Sequence, residues 1–435
     1  KVAHWPEPLL PKAYLYAGCG GCHTHLSVPN LVRLEQGRSR FEQADCLACH
    51  KLDGRGGMLR PGGAGGQEGP DLSRVGAGGF KPDWYAQHLA QKKKASTGPW
   101  LSAFGELAEP ERLATDEFLR SRVGAPGLLE AKALFQTLGC RGCHKVRGVG
   151  GDDGPDLTVA GNLDPGQLNF AQVAGERTLA NWLKQHFRAP ASVVAGSAMP
   201  ELGLTERQID QLTFYILSLR RGSFPEALWP KDRIRAERFG SREFATDGAT
   251  LYGTFCAACH GANGEGMRYP GLAAFPAIAN ADFLRLVSDD FLRAQIKRGR
   301  PGRRMPAWGG SEGGLREEEV DRLVTYLRDL GGVAYAGDGK PRRWAAGDPA
   351  AGQRLYADVC CSCHGGRGEG KEGPALDNKV FLDLATDSYL FKTIQNGRSG
   401  TSMVGFGAGS SVRRTLTDGE IASVIAFIRT WEGKK

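Results

Sequence analysis

Five short segments of the sequence share the pattern C-x-x-C-H, whose residue types can hold a metal-bearing cofactor. Two thiols at this spacing can add to the two vinyl groups of one haem, and the histidine that follows can then ligate its iron. The pattern therefore predicts five covalently attached haem c groups with five proximal histidines. The predicted sites are Cys19, Cys22 and His23; Cys46, Cys49 and His50; Cys140, Cys143 and His144; Cys256, Cys259 and His260; and Cys360, Cys363 and His364.

Zinc sites and disulfides are the competing interpretations of these cysteines. The first two pairs are spaced as in a four-cysteine zinc ribbon, but a ribbon needs no histidine directly after each pair. The other three pairs stand far from any second pair. The eleven cysteines are odd in number, without the pattern of a small stapled domain. Haem attachment is favoured, and Cys361 is most simply a spare thiol.

Length and composition favour several small domains. A chain of 435 residues predicts three to five compact units. The 62 glycines and the hydrophobic fraction of 41% suggest domains in which a porphyrin replaces part of the side-chain core. The net charge of +8 is modest and carries no nucleic-acid signature.

The sequence also bears on location. It has no run of 18 apolar residues, which predicts that the chain has no transmembrane segment. It begins at Lys1 without an export signal, so we expect a mature or trimmed product that has lost a signal or an N-terminal anchor. Because thioether attachment takes place outside the bacterial cytoplasm, we expect a periplasmic or extracytoplasmic protein. Peripheral membrane association through a partner stays open.

The elements between the haem motifs follow a repeated order. A helix precedes the motif, a loop follows it, and a second long helix closes the unit; capping boxes at Thr205/Gln208 and Thr417/Glu420 start two of the closing helices. The predicted helices cover 31–41, 110–120, 128–138, 179–187, 205–219, 249–255, 317–330, 350–359 and 418–431. The predicted divisions are an extension carrying haem 1 (1–30), domain two (31–125), domain three (126–220), a linker (221–247), domain four (248–331), a linker (332–347) and domain five (348–435).

This order resembles the class I cytochrome c fold over about nine-tenths of the chain. The resemblance implies a mainly α architecture of tandem small helical domains, each wrapped round a covalent haem, with long glycine-rich loops. It also implies distal iron ligands at Met199, Met305 and Met403, which stand 55, 45 and 39 residues after the histidine of their motif. Methionine opposite histidine raises the reduction potential of a haem.

Domain two departs from the pattern, because Phe104 aligns with Met199. Haem 2 therefore either borrows a ligand or has an open site. Four candidates could serve haems 1 and 2, and borrowed ligation with at least one bis-histidine haem is favoured. The candidates are His25, His88, Met58 and His4. His88 aligns with His186 of domain three, which favours a shared structural role for these two histidines.

The functional hypothesis is single-electron transfer along the chain, with the protein positioning the haems and setting their potentials. The expected partners are redox proteins: a membrane quinol-oxidising complex or a dehydrogenase as donor, and a soluble cytochrome or an oxidase as acceptor. Electrons would enter near haems 1 and 2 and leave at domain five. The chain could also be a fixed subunit of a membrane complex. The alternative is a haem enzyme, a peroxidase or an oxidoreductase acting on nitrite or a sulfur compound, with its open site at haem 2.

The covalent attachment of five haems predicts the mass of the unfolded protein. Denatured chain should exceed its polypeptide mass of 46.7 kDa by five haem groups, because thioether bonds survive denaturation. Intact mass spectrometry in denaturant measures this. A mass equal to that of the amino acids alone would contradict haem attachment, and a smaller excess would contradict the number five.

Overall fold

The computed structural model of the chain describes most residues from 31 onwards. The described residues are 14, 17, 31–44, 46–53, 55–56, 69–78, 87, 107–122, 126–220, 227, 239–240, 242, 244–409 and 413–432. They are mainly helical, which confirms the predicted fold class. None of the helices in this described part combines the length and the apolar character needed to cross a bilayer.

The helices are numbered here in chain order, and one small hairpin accompanies them. The first nine helices are α1 (Leu31–Gln43), α2 (Cys46–Cys49), α3 (Glu109–Arg120), α4 (Pro126–Thr137), α5 (Leu179–Arg188), α6 (Pro190–Val193), α7 (Glu206–Ser218), α8 (Gly248–Phe255) and α9 (Ala257–His260). The next nine are α10 (Ala281–Leu286), α11 (Asp289–Arg298), α12 (Gly310–Gly313), α13 (Glu317–Gly331), α14 (Pro349–Val359), α15 (Cys361–His364), α16 (Lys379–Leu384), α17 (Asp387–Asn396) and α18 (Asp418–Arg429). Strands β1 (Lys51–Leu52) and β2 (Arg55–Gly56) pair antiparallel.

All nine predicted helices are present, with ends that differ by three residues or fewer. Both predicted capping boxes also form: Thr205 with Gln208 starts α7, and Thr417 with Glu420 starts α18. The sequence analysis missed α10, α11, α16 and α17, which follow the haem motifs of domains four and five. Helices α10 and α16 have six residues each, whereas α11 and α17 have ten. Each of the four begins at a side-chain cap: Asn280, Ser288, Asn378 or Thr386.

The chain forms two compact units. The first comprises Lys1–Thr137, Val159–Phe187 and Leu204–Ala245, and the second comprises Leu138–Thr158, Arg188–Gly203 and Thr246–Lys435. The division runs through the sequence of domain three, so that the segments carrying His144 and Met199 belong to the second unit.

In the first unit, α1 packs closely on α3. The approach requires glycine at position 37, since a Cβ there would lie 1.9 Å from the carbonyl oxygen of Ala114. Phe41 and Phe118 meet in the core beneath, with ring centroids 5.5 Å apart. Arg122 is fully buried and bonds to the carboxylates of Glu130 and Asp53.

In the second unit, domains four and five use the same packing. The first helix of each crosses the last, α8 on α13 and α14 on α18. Tyr252 of α8 donates its hydroxyl hydrogen to the carbonyl of Gly261 at 2.8 Å, and Tyr356 of α14 does the same to Gly365 at 2.9 Å. These bonds tie the first helix to the residue directly after each motif histidine.

A buried ion pair holds the start of α17 against α18. Asp387, 2% exposed, accepts from Nε and Nη2 of Arg429 at 3.0 and 2.8 Å. Its other oxygen accepts from the backbone amides of Trp344 and Ala345, so residues of the predicted second linker dock on domain five.

Asp387→Ala should lower the free energy of unfolding by about 2–3 kcal/mol, because two backbone amides and the Arg429 guanidinium lose their acceptor. Glu432, 2.7 Å from Nη1 of Arg429, keeps part of the charge compensation. The matched control is Asp358→Ala, since Asp358 is 61% exposed and pairs with an exposed Arg414; it should cost about 0–1 kcal/mol. Urea unfolding of the haem-loaded chain, followed by far-UV circular dichroism, measures both. Equal midpoints for the two variants would contradict the structural role of Asp387.

Candidate haem-binding sites

The four described cysteine–histidine motifs adopt the same single helical turn. In each, the backbone amide of the histidine donates to the carbonyl of the first cysteine. The distances are 3.0 Å for His50 to Cys46, 3.0 Å for His144 to Cys140, 2.9 Å for His260 to Cys256 and 3.0 Å for His364 to Cys360. Residues at i, i+3 and i+4 share one face of a helix, so the turn places two thiols and an imidazole on the same side.

The imidazole of every described motif is oriented by a proline carbonyl. The Nδ1 atoms of His50, His144, His260 and His364 lie 2.9, 2.9, 2.8 and 2.9 Å from the carbonyl oxygens of Pro70, Pro155, Pro276 and Pro374, respectively. A carbonyl can only accept, so Nδ1 carries the hydrogen and Nε2 keeps its lone pair. A histidine that ligates a metal commonly uses its second nitrogen in this way.

The surroundings keep three of these imidazoles neutral. Burial lowers the pKa of His144, His260 and His364, and their bonds to proline carbonyls oppose it only in part. The glycines before two of these prolines leave room for the rings. A Cβ at Gly154 would lie 2.4 Å from Cε1 of His144, and one at Gly373 would lie 2.8 Å from Cε1 of His364.

One cavity brings together the predicted ligands of domain four. It has a volume of about 420 Å³, and Cys256, Cys259, His260 and Met305 all line it. The volume falls within the range of roughly 300–1,000 Å³ that is typical of cofactor and small-molecule pockets. Most of the lining is apolar and includes Phe255, Phe275, Ile296, Trp308, Leu323 and Leu327.

The residues of this cavity fit a haem. Its wall contains the guanidinium of Arg300, and burial lowers the pKa of that group to about 10. Within the described part of the chain, Arg300 bonds only to uncharged groups, the side chain of Gln295 at 3.0 Å and the carbonyl of Ala375 at 3.5 Å. A porphyrin offers an apolar face to the lining and carboxylates to this cation, and the thiols and imidazole match its covalent attachment.

Two of the predicted methionine ligands stand at the end of the same tight hairpin. The backbone amide of Arg300 donates to the carbonyl of Met305 at 2.7 Å, and that of Arg398 donates to Met403 at 2.8 Å. Met199 ends a different loop, in which its amide donates to the hydroxyl of Ser197 at 3.2 Å. Met305 and His260 line a common cavity. The distal roles of Met199, Met305 and Met403 all stay predictions.

The attachment turns of domains three and four lie against each other within the second unit. A Cβ at Gly139 would lie 2.7 Å from Cβ of Ala258, so only glycine permits the contact. A hydrogen bond between the thiols of Cys143 and Cys259 raises the pKa of Cys259. Arg304, next to Met305, donates to the Asp153 carboxylate at 2.9 Å.

The first haem motif and the candidate distal ligands of haems 1 and 2 are not among the described residues. Cys19, Cys22, His23 and Phe104 lie outside the described residues, as do the candidate ligands His4, His25, Met58 and His88. His186, which aligns with His88, stacks on Trp182 with ring centroids 4.8 Å apart. The Cys361 thiol donates to the carbonyl of Ala357 at 2.9 Å.

Sequence reasoning missed the histidine-orienting prolines and the arginine of the methionine hairpin. The prolines had a signal, because Gly-Pro follows the motif in domains two, three and five. Arg300 and Arg398 had one too, since each stands five residues before a methionine predicted to be a ligand.

Comparison with known families places cytochrome domains along much of the chain. The family described as cytochrome c matches residues 128–220 and 245–331. The family described as cytochrome c oxidase, cbb3-type, subunit III, matches residues 347–428.

Curated relatives include subunits of the same oxidase type. A cbb3-type cytochrome c oxidase subunit FixP from Bradyrhizobium sp. (strain ORS 278) is 31% identical over 163 residues, which cover 35% of this chain and 51% of the relative. A subunit CcoP from Azospirillum sp. (strain B510) is 26% identical over 243 residues, covering 51% and 71%. The chain thus spans about half the length of the FixP relative.

A solved reducing HAO-like protein complex from Kuenenia stuttgartiensis is 18% identical, with a TM-score of 0.28. The match covers 42% of this chain and 94% of that one. A TM-score this low does not establish a shared overall fold.

The glycine beside the His364 ring provides a test of the proximal site. Gly373→Ala should displace the imidazole, because the added Cβ would lie within 3.2 Å of three ring atoms. We expect one haem to lose its low-spin ferric signal in electron paramagnetic resonance. Gly366→Ala is the matched control, since a Cβ there meets open space. Identical spectra for both variants would count against His364 as an iron ligand.

Proposed function

Because the chain is a multihaem c-type cytochrome built from tandem cytochrome c domains, we propose that it carries single electrons within a respiratory chain. The donor is a quinol-oxidising complex or a dehydrogenase, and the acceptor is a soluble carrier or an oxidase. The chain works as a subunit of a membrane complex or docked on one, on its periplasmic side.

The proposal includes five haems in the divisions predicted from the sequence. The extension (1–30) carries haem 1, and the four domains that follow carry haems 2 to 5. Each haem is attached through the two cysteines of its motif and ligated by the histidine of that motif. Met199, Met305 and Met403 complete the iron coordination in domains three, four and five. His4, His25, Met58 and His88 are the candidates for haems 1 and 2.

The observation that carries the proposal is the cavity of domain four. His260 and Met305 line the same space, so a haem held there could take both of its protein ligands from this chain. A haem ligated in this way would leave no coordination position for a substrate, which favours electron transfer over catalysis. A methionine ligand also raises the potential, which suits a centre that passes electrons toward an oxidase.

The succession of sites in the second unit supports electron transfer as well. The attachment turn of domain three lies against that of domain four at Gly139 and Ala258. The cavity of domain four also reaches residues 369–375 of domain five, including Pro374, which orients His364. Three sites therefore follow one another without an intervening domain, the arrangement needed for transfer by short steps.

The names of the relatives support the kind of partner. FixP and CcoP are subunits of cbb3-type cytochrome c oxidases, and domain five matches the family of subunit III. We propose that electrons enter at the N-terminal haems and leave through domain five toward a carrier or an oxidase.

Stopped-flow spectroscopy tests this function directly. Fully reduced chain mixed with oxidised soluble c-type cytochrome should be oxidised rapidly in one-electron steps, while peroxide, nitrite and thiosulfate should not be turned over. Rapid turnover of any of these three compounds would favour the haem-enzyme alternative and contradict the proposal.

A matched pair of methionine variants tests the iron ligand of domain four by redox titration and cyanide binding. Met305→Leu should lower the midpoint potential of one haem and open its iron to cyanide, because it removes the thioether. Met267→Leu alters a methionine of the same domain that does not line the cavity, and should change neither. Equal behaviour of the two variants would argue against Met305 as a ligand.

A further inference from the structure

Domains four and five meet through reciprocal contacts between equivalent residues. Asn280 caps α10 of domain four, and its side-chain amide donates to the carbonyl of Ser399 at 2.7 Å. Asn378 caps α16 of domain five and donates to the carbonyl of Pro301 at 3.1 Å. Pro301 and Ser399 occupy the same position in their methionine hairpins, directly after the hairpin arginine. The two contacts are therefore related by an approximate twofold axis.

The contacts of the two hairpin arginines are related by the same approximate twofold axis. Arg300 of domain four lies over the ring of Phe381 of domain five, 4.8 Å from its centroid. Arg398 of domain five lies over the ring of Phe283 of domain four, 4.9 Å from its centroid. Phe283 and Phe381 are equivalent residues, each three positions after its capping asparagine. The side chain of each arginine thus extends from its own domain to an aromatic ring of the other domain.

Aromatic rings fill the interface between the arginines. Phe291 and Tyr389, which are equivalent residues of α11 and α17, have ring centroids 5.9 Å apart. Phe283 packs edge-on against Tyr389 at 6.0 Å. Water is largely excluded from such a cluster, so charges beside it interact strongly.

Neither arginine forms an ion pair or a hydrogen bond with a carboxylate in the described part of the chain. Arg398 donates to the hydroxyl of Tyr389, and its Nε is buried without a hydrogen-bond partner there. The Asp282 carboxylate accepts from the backbone amide of Ser399 at 2.8 Å. This bond lowers the pKa of Asp282, and the charge of Arg398 adds to the effect without a hydrogen bond. Arg300 bonds only to an amide and a carbonyl. The pKa of Arg300 is lowered by burial and, to a smaller extent, by repulsion from Arg398.

The more exposed arginines at this boundary are all paired. Arg303 bonds to Asp377 at 2.7 Å, Arg298 lies 3.5 Å from Asp383, and Arg268 bonds to Glu372. The chain therefore supplies a carboxylate to these more exposed arginines and none in direct contact with Arg300 and Arg398, which are half-buried. Because an uncompensated charge is costly where water is partly excluded, an anion from outside the polypeptide would stabilise the pair.

We propose that Arg300 and Arg398 form one shared anion site that binds the propionate carboxylates of the haems of domains four and five. Arg300 lines the cavity that also holds Cys256, Cys259, His260 and Met305. Arg398 is the equivalent arginine of the methionine hairpin in domain five. The planar fork of a guanidinium matches a carboxylate in two parallel hydrogen bonds. The inference rests on the proposed function, because it requires a haem in each of these domains.

If the site is shared, the reduction potential of each of the two haems depends on both arginines. A cation near a haem favours the ferrous state, since reduction adds a negative charge. An arginine that bound only the haem of its own domain would affect the reduction potential of one haem. An arginine that binds the propionates of both domains should affect the reduction potentials of two haems.

Redox titration of the full haem-loaded chain, followed by visible and electron paramagnetic resonance spectra, tests the site. Arg300→Gln should move two of the one-electron transitions to lower potential, and Arg398→Gln should move the same two. Arg300→Lys keeps the charge and should cause a smaller shift than Arg300→Gln. Arg298→Gln is the matched control, because Arg298 is an interface arginine with its own carboxylate partner, and it should move none.

Three results would overturn the shared site: shifts of a different single transition in Arg300→Gln and Arg398→Gln, no shift in either, or an equal shift in Arg300→Lys and Arg300→Gln. If the glutamine variants fail to load haem, Arg300→Lys and Arg398→Lys decide the question, since both should lower the same two transitions. Failure of the proposed function is separate, because it would appear in the unmodified chain, either as haem missing from the intact mass or as turnover of peroxide, nitrite or thiosulfate.

Discussion

The hydrogen bond between a motif histidine and a proline carbonyl is the contact on which the described sites depend. It recurs in four domains at 2.8–2.9 Å, although the segment between histidine and proline differs in length each time. The bond places the ring hydrogen on Nδ1 and leaves the lone pair of Nε2 for a metal. Burial lowers the pKa of His144, His260 and His364. The loops therefore vary in length while the orientation of the imidazole stays constant. A glycine precedes the proline in three of the four sites, and Phe275 precedes it in domain four.

The sequence was sufficient wherever chemistry or periodicity is local. The C-x-x-C-H spacing predicts a single turn with three ligating groups on one side, and the stripe Ile209, Leu212, Ile216 predicts α7 together with its cap. Helices α10 and α16 were missed because six residues are too few to show a period, although the capping asparagines were visible. The contact between the Arg300 guanidinium and the Phe381 ring could not be predicted from the sequence. It joins residues far apart in the chain and depends on how two domains pack.

Within the second unit, domain four contacts domains three and five through different kinds of residue. Small residues at Gly139 and Ala258 bring the attachment turn of domain three close. Capping asparagines, aromatic rings and unpaired arginines form the boundary with domain five. The contact with domain three thus combines a close approach of small residues with the ion pair of Arg304 and Asp153. The contact with domain five adds two half-buried arginines to its exposed ion pairs, which is why we propose that the potentials of these two domains are linked.

The reciprocal contacts of Asn280 and Asn378 have an evolutionary consequence. When residue i touches j and the equivalent of j touches the equivalent of i, the interface is that of a symmetric homodimer. A single-domain ancestor that paired with a second copy of itself, followed by gene duplication and fusion, would leave this pattern in one polypeptide. The tether between the halves would then be the newest part of the pair, and the contact surface the oldest.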